Sequence, residues 1–133
     1  MSHAKHERIL VIDDNLPMRK ALTETLKYLN YQTLEAENGK EALEIIEKLS
    51  LDGTGKGSPG LALIMSDLSM PVMDGRELFD ELKKRNIRLP FVMLSGYLTD
   101  NALDDLKEMG LSGWLKKPAD IEEIASLLEK VLQ

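Results

Sequence analysis

Four apolar runs punctuate the chain, and each stops abruptly at a small polar or charged residue. Ile9-Leu10-Val11-Ile12 stops at Asp13, Leu61 to Met65 at Ser66-Asp67, Phe91-Val92-Met93-Leu94 at Ser95, and Trp114-Leu115 at Lys116-Lys117. Unbroken apolar runs of this length predict strands buried on both faces, as in a parallel sheet, because a half-exposed strand would alternate. Tyr31 to Ala36 is more mixed and suits a sheet edge. Between the runs the apolar residues recur every three or four positions: Met18, Leu22, Leu26, Leu29, then Ala42, Ile45, Ile46, Leu49, then Leu78, Phe79, Leu82, then Ala102, Leu103, Leu106. A last set, Ile121, Ile124, Leu128 and Val131, closes the sequence. This period predicts amphipathic helices. Asn30 and Gly110 stand where C-terminal caps belong, Asp120 with Glu123 forms a capping box, and Asp74-Gly75 reads as a turn opening the third helix.

Strand and helix therefore alternate five times. Such alternation predicts an α/β fold: a doubly wound, five-stranded parallel sheet with five helices distributed over both faces through right-handed crossovers. Ligands of such sheets bind beyond the carboxyl ends of the strands. The polar residues that end the four apolar runs are thus expected to converge on one site. The segment Leu51 to Gly60 carries too many glycines to continue a helix and reads as a loop. Its Gly55-Lys56-Gly57-Ser58-Pro59-Gly60 matches a dinucleotide fingerprint in letters only, since it follows a helix and precedes a strand. A phosphate-binding loop is absent as well, because Lys56 is followed by Gly57.

Composition narrows the function. At roughly 150 residues per domain, 133 residues make one domain. The net charge of -6 gives no field that would draw a nucleic-acid backbone, so no direct nucleic-acid partner is expected. The absence of cysteine excludes disulfides, thiolate metal sites and Cys nucleophiles. Leu61 to Met65 is far short of the roughly 20 residues that span a bilayer, and Met1 to Glu7 is too polar for a signal peptide. The expected location is the cytoplasm, with no membrane partner. Residues 1–7 are expected to be a disordered tail, in which His3 and His6 are surface residues and not a metal tract.

Asp13 and Asp14 end the first strand and Asp67 ends the third, so three carboxylates meet where the strand order reverses. Like charges that close raise one another's pKa unless a cation intervenes. Oxygen ligands without His or Cys suit Mg²⁺, which keeps several waters and commonly bridges to a phosphoryl oxygen. Lys117 adds a positive point charge and Ser95 a hydroxyl. A carboxylate nucleophile beside a metal, a lysine and a hydroxyl is the equipment for forming an aspartyl phosphate.

Asp13-Asp14, Asp67-Leu68-Ser69-Met70-Pro71-Val72-Met73-Asp74-Gly75, Leu94-Ser95-Gly96 and Lys117-Pro118 resemble, in order and context, the signature of two-component response-regulator receiver domains. The resemblance runs from about Arg8 to Leu132, so residues 8–133 are expected to form the receiver domain. It implies a flavodoxin-like strand order of 2-1-3-4-5 and phosphorylation of Asp67 by a histidine kinase or phosphotransfer protein. Mg²⁺ would be held by Asp14, Asp67 and the Ser69 carbonyl, with Asp13 acting partly through water. By the same resemblance Lys117 and Ser95 would contact the phosphoryl group, the Lys117-Pro118 bond would be cis, and Ser95 and Trp114 would form the switch. Ser69 and Tyr97 lie where such domains tune phosphoryl lifetime, Trp114 replaces the usual Tyr or Phe, and Ala119 stands where Phe is frequent. Phosphorylation would reshape the face made by the fourth helix, fifth strand and fifth helix for a downstream output domain or protein. The domain would be a switch with self-phosphorylation and self-dephosphorylation activity more than an enzyme.

Three other readings remain to be weighed. An aspartate-based phosphohydrolase resembles D-x-D, whose second Asp serves as general acid; Ser69 stands there instead and cannot serve at neutral pH. A degenerate receiver used only for binding would lack the acidic pair, the acceptor or the lysine, and none is missing. A receiver module of a hybrid histidine kinase would share every motif. Since the sequence ends close to the last helix, no output domain is expected within it.

Overall fold

A computed structural model of the chain describes residues 8–50 and 60–132. The expected tail over residues 1–7, with its two histidines, and nearly all of the glycine-rich loop lie outside the described residues. Five strands and five helices alternate: β1 (Arg8–Ile12), α1 (Leu16–Tyr28), β2 (Gln32–Ala36), α2 (Gly39–Ser50), β3 (Leu63–Asp67), α3 (Gly75–Lys84), β4 (Phe91–Ser95), α4 (Asp100–Glu108), β5 (Gly113–Lys116) and α5 (Ile121–Val131). All strand pairs are parallel and the order is β2-β1-β3-β4-β5, the flavodoxin-like order. The mixed strand β2 does lie at an edge, where only part of its surface is covered.

The period-two alternation of each strand divides the core into two layers. Leu10, Ile12, Ile64, Phe91 and Met93 face Ala42 and Ile46 of α2, Leu78 and Leu82 of α3, and Leu106 of α4. Ile9, Val11, Leu63, Met65, Val92, Leu94 and Leu115 face Leu26 of α1 and Ile124 and Leu128 of α5. The central strands bury both faces, which is why their sequences read as unbroken apolar runs.

The third run and its strand are out of step by two residues. The run starts at Leu61, but β3 starts at Leu63 and continues through Ser66 and Asp67. Backbone pairing with β4 carries the strand on, with Asp67 opposite Leu94 and the Leu68 N–H donating to the Leu94 carbonyl at 2.9 Å. Apolarity could not mark this end because Ser66 and Asp67 are polar yet buried.

Helix ends follow local chemistry. The Asn15 side chain caps α1 by accepting from the Met18 N–H at 3.0 Å, with Pro17 in the first turn. This places the start two residues before Met18, the first apolar residue of the periodic set. Asn30 (φ 75°) and Gly110 (φ 103°) follow the helix caps in the left-handed conformation expected of them. Asp74 and Asp120 each close a capping box, with Glu77 and Glu123.

Gly75 opens α3 in direct contact with the end of β3. A Cβ there would lie 2.5 Å from the Asp67 carbonyl oxygen and 2.9 Å from the Met93 sulfur. Only glycine lets the helix start this close to the strand. Gly75→Ala is expected to lower stability by about 1–3 kcal/mol, the usual cost of overpacking; urea unfolding followed by circular dichroism measures it, and an unchanged midpoint would contradict the close approach.

Candidate functional site

The carboxyl ends of β1, β3 and β5 bring the sequence-predicted charges together. Asp13 and Asp14 leave β1, Asp67 ends β3, and one carboxylate oxygen from each lies within 4.8 Å of the others. Asp13 and Asp67 are buried, whereas Asp14 is exposed. Lys117, just past β5, places its Nζ 3.2 Å from Asp67 Oδ2 and 3.5 Å from Asp13 Oδ2. The Lys117-Pro118 peptide is cis, and the Lys117 N–H donates to the Ser95 carbonyl at 2.9 Å, which ties this turn to the end of β4. Lys116, its neighbour, is exposed and takes no part.

Electrostatics follow from burial and proximity. Burial is the largest influence on the Asp67 carboxyl and pushes it above its ordinary 3.8; the bonded Lys117 ammonium pulls it down, the Asp13 charge adds to the rise, and the Ser69 backbone N–H opposes it. For Lys117, burial alone would lower the ammonium, but its bond to Asp67 and the charges of Asp67 and Asp13 outweigh that and hold it above 10.5. One cation therefore faces three carboxylates. The donor set is entirely hard oxygen with no His or Cys, and one of the three acids is open to water, so the residues present fit a hydrated Mg²⁺.

Ser95 and Ser69 stand at the rim with their polar groups partly engaged. The Ser95 hydroxyl donates to the Tyr97 carbonyl at 2.8 Å and accepts from the Tyr97 N–H at 3.1 Å, so it is engaged with the loop after β4. Ser69 is exposed and meets Asp67 through its N–H. Trp114 lies on the opposite face of β5 from Leu115, as strand alternation requires, packed against the α2–α3–α4 core layer. Its Nε1 is buried with no hydrogen-bond partner among the described residues.

Contacts that sequence reasoning did not single out brace the acidic pair. The Arg19 Nη1 donates to the Asp13 carbonyl at 2.7 Å and its Nε to Glu35 Oε1 at 2.8 Å, and the Asn15 N–H donates to Asp13 Oδ1 at 2.9 Å. The link from α1 to β2 spans sixteen positions and leaves no periodic trace in the sequence. Gly75 also belongs here through its contact with Asp67, and the only signal for it was the turn-forming Asp74-Gly75 pair.

Comparison with known proteins identifies the family. The response regulator receiver domain family matches residues 9–129, and the chain belongs to that family. Sporulation initiation phosphotransferase F of Bacillus subtilis (strain 168) is 31% identical over 127 residues, covering 96% of this chain and 94% of the relative. The sensor kinase CckA of Brucella abortus (strain 2308) is 30% identical over 125 residues; 94% of this chain is covered but only 12% of that much longer protein. Among solved structures, the chemotaxis protein CheY4 of Vibrio cholerae superposes with a TM-score of 0.80 at 28% identity, covering 95% of this chain and 98% of the other. The chain is accordingly a receiver domain of two-component signalling, a phosphoacceptor switch and not a conventional enzyme.

The raised Asp67 pKa carries a stability consequence with a definite sign. The folded state disfavours the ionised carboxylate, so the penalty is fully present above the folded pKa and disappears as pH falls through it towards 3.8. Asp67→Asn removes the penalty. In chelator at neutral pH this variant is expected to unfold at higher urea than the wild type, and the gap should narrow as pH is lowered through that interval. A gap that stays constant with pH would show that the charge is not its origin.

Proposed function

We propose that Asp67 accepts a phosphoryl group from a histidine kinase or phosphotransfer protein, with Mg²⁺ held by Asp13, Asp14, Asp67 and the Ser69 carbonyl. The observation that carries this reading is the cluster itself: three carboxylates within 4.8 Å, and one ammonium 3.2 Å from the nucleophile. Burial leaves the Asp67 carboxylate more basic and less solvated than a surface one, which favours attack. A carboxylate oxygen bonds to phosphorus as the donor's N–P bond breaks, and the imidazole keeps the electron pair and takes a proton from solvent. Lys117, held protonated, moves its pairing from the carboxylate to the incoming phosphoryl oxygens. When bound, Mg²⁺ would supply the remaining neutralisation of the transferring oxygens.

The Ser95 hydroxyl reaches a phosphoryl oxygen only by giving up its bonds to Tyr97. That exchange is the proposed start of the switch, with Trp114 on the adjacent strand and the α4–β5–α5 face as its readout for an output domain or protein. Reversal of the phosphorylation by the domain's own residues, with a water attacking phosphorus, belongs to the same proposal. Among the described residues no helix is long and apolar enough to cross a membrane, and a cytoplasmic site of action is part of this reading. The relatives include both a free-standing phosphotransferase and a sensor kinase, so the shared chemistry fits either setting. A phosphohydrolase role has no support, since Ser69 offers no carboxyl group two positions after Asp67.

Two measurements test the proposal. Intact-mass analysis after incubation with acetyl phosphate and Mg²⁺ should show one phosphoryl adduct, absent from Asp67→Asn and absent in chelator. An adduct of full yield on the variant would overturn the assignment. Metal titration should show Asp14→Ala weakening Mg²⁺ binding, consistent with loss of a ligand. Lys117→Ala should retain the metal or bind it slightly more tightly, because a competing cation is gone, yet respond poorly to phosphorylation. The reverse ranking would exchange the two sides of the site.

A further inference from the structure

Arg19 spans the gap between the acidic pair and the edge of the sheet. Its guanidinium holds the Asp13 backbone carbonyl at 2.7 Å and Glu35 Oε1 at 2.8 Å, and Lys20 occupies the other Glu35 oxygen at 2.8 Å. Glu35 sits on β2 opposite Val11 of β1, two residues before Asp13. The Arg19 side chain is 12% exposed and that of Glu35 25%, so this pair is partly shielded from water, whereas Lys20 is open to it. Lys20 lowers the Glu35 carboxyl most, against burial and together with Arg19, which keeps the anchor ionised.

We infer that Arg19, anchored by Glu35, is a positioning residue for the metal site: it fixes the point at which the chain turns out of β1 and so sets the geometry of the Asp13 and Asp14 carboxylates. This inference rests on the Mg²⁺ reading above. Asp13 is held at four points: its N–H by the Ala36 carbonyl, its carbonyl by Arg19, and its carboxylate by the Asn15 N–H and Lys117. Among the described residues Arg19 is the side chain that bonds the Asp13 backbone, and it connects that carbonyl to Glu35 on β2. A forked, planar guanidinium reaches two acceptors at once, which an ammonium on a flexible stem does not do with the same fixed geometry. Glu35 is shared between Arg19 and Lys20, so it offsets part of their charge and holds the guanidinium in place beside the Asp13 carbonyl.

The two alkaline-earth ions distinguish positioning from general damage. Mg²⁺ demands near-ideal octahedral geometry, whereas Ca²⁺ tolerates irregular ligand arrangements. Loosening the acidic pair should therefore cost Mg²⁺ more than Ca²⁺. Calorimetric titration of each ion alone into wild type, Arg19→Lys, Arg19→Met and Lys20→Met tests this, with folding of each checked by circular dichroism. Both Arg19 variants should lose about tenfold or more in Mg²⁺ affinity, the scale seen when an outer partner of a metal ligand is removed. Ca²⁺ affinity should fall by clearly less. Lys20→Met, which leaves the Arg19 bonds to Asp13 and Glu35 in place, should lose less Mg²⁺ affinity than either Arg19 variant. Arg19→Lys binding Mg²⁺ as wild type does, or both ions weakening by one common factor, would overturn the inference. A wild-type chain that binds neither ion would instead overturn the metal reading on which it rests.

Discussion

Crowding of negative charge at the carboxyl end of the sheet is the constraint on which the rest of the structure depends. Two of the three acids are buried, and the single ammonium among them leaves Asp67 still disfavoured as an anion. An arrangement so costly persists only where a rigid frame imposes it. Here the frame is a parallel sheet whose central strands are fully covered on both faces, so that none can slide to relieve the repulsion without exposing its apolar side chains. The unfavourable charge balance also suits the site to a cation, which would relieve part of it; a phosphoryl group adds negative charge, so on the proposed mechanism it depends on that cation and on Lys117.

Most of the fold was legible because burial and polarity agree along most of the chain. The unbroken runs, the helical periods and the caps at Asn30, Gly110 and Asp120 all express local rules, and the structure follows them. The end of β3 departs from this, since buried Ser66 and Asp67 belong to the strand but do not look apolar. The site's charged members were legible for a related reason: each terminates a strand, and the topology alone brings strand ends together. Gly75 was legible as a turn residue but not in its contact with Asp67, and Arg19 and Glu35 were not legible at all. Their roles depend on which oxygen faces which side chain across elements remote in sequence, and no periodicity encodes that.

Ser95 shows where residue type and geometry part company. The sequence supplies a hydroxyl at the correct strand end, yet in this structure that hydroxyl forms both of its hydrogen bonds with Tyr97. The bonds close a short turn; a hydrogen bond to a charged oxygen is roughly twice as strong as a neutral one, which on the proposed mechanism favours the exchange. On the proposed mechanism Ser95 therefore has two settings with different partners, and phosphorylation biases the choice by its differential contact alone.

Trp114 extends that reasoning to the next strand. It lies opposite Met93, two residues before Ser95, and its indole is packed into the core layer shared with α4 while Nε1 lacks an acceptor. A buried, unsatisfied donor costs on the order of 1–3 kcal/mol, while burial of so large a ring contributes favourably on a similar scale. On the proposed mechanism that unmet donor gives Trp114 a reason to move: a shift of the loop after β4 that let water or an acceptor reach Nε1 would favour another ring position, a response that a phenylalanine, lacking the N–H, could not make.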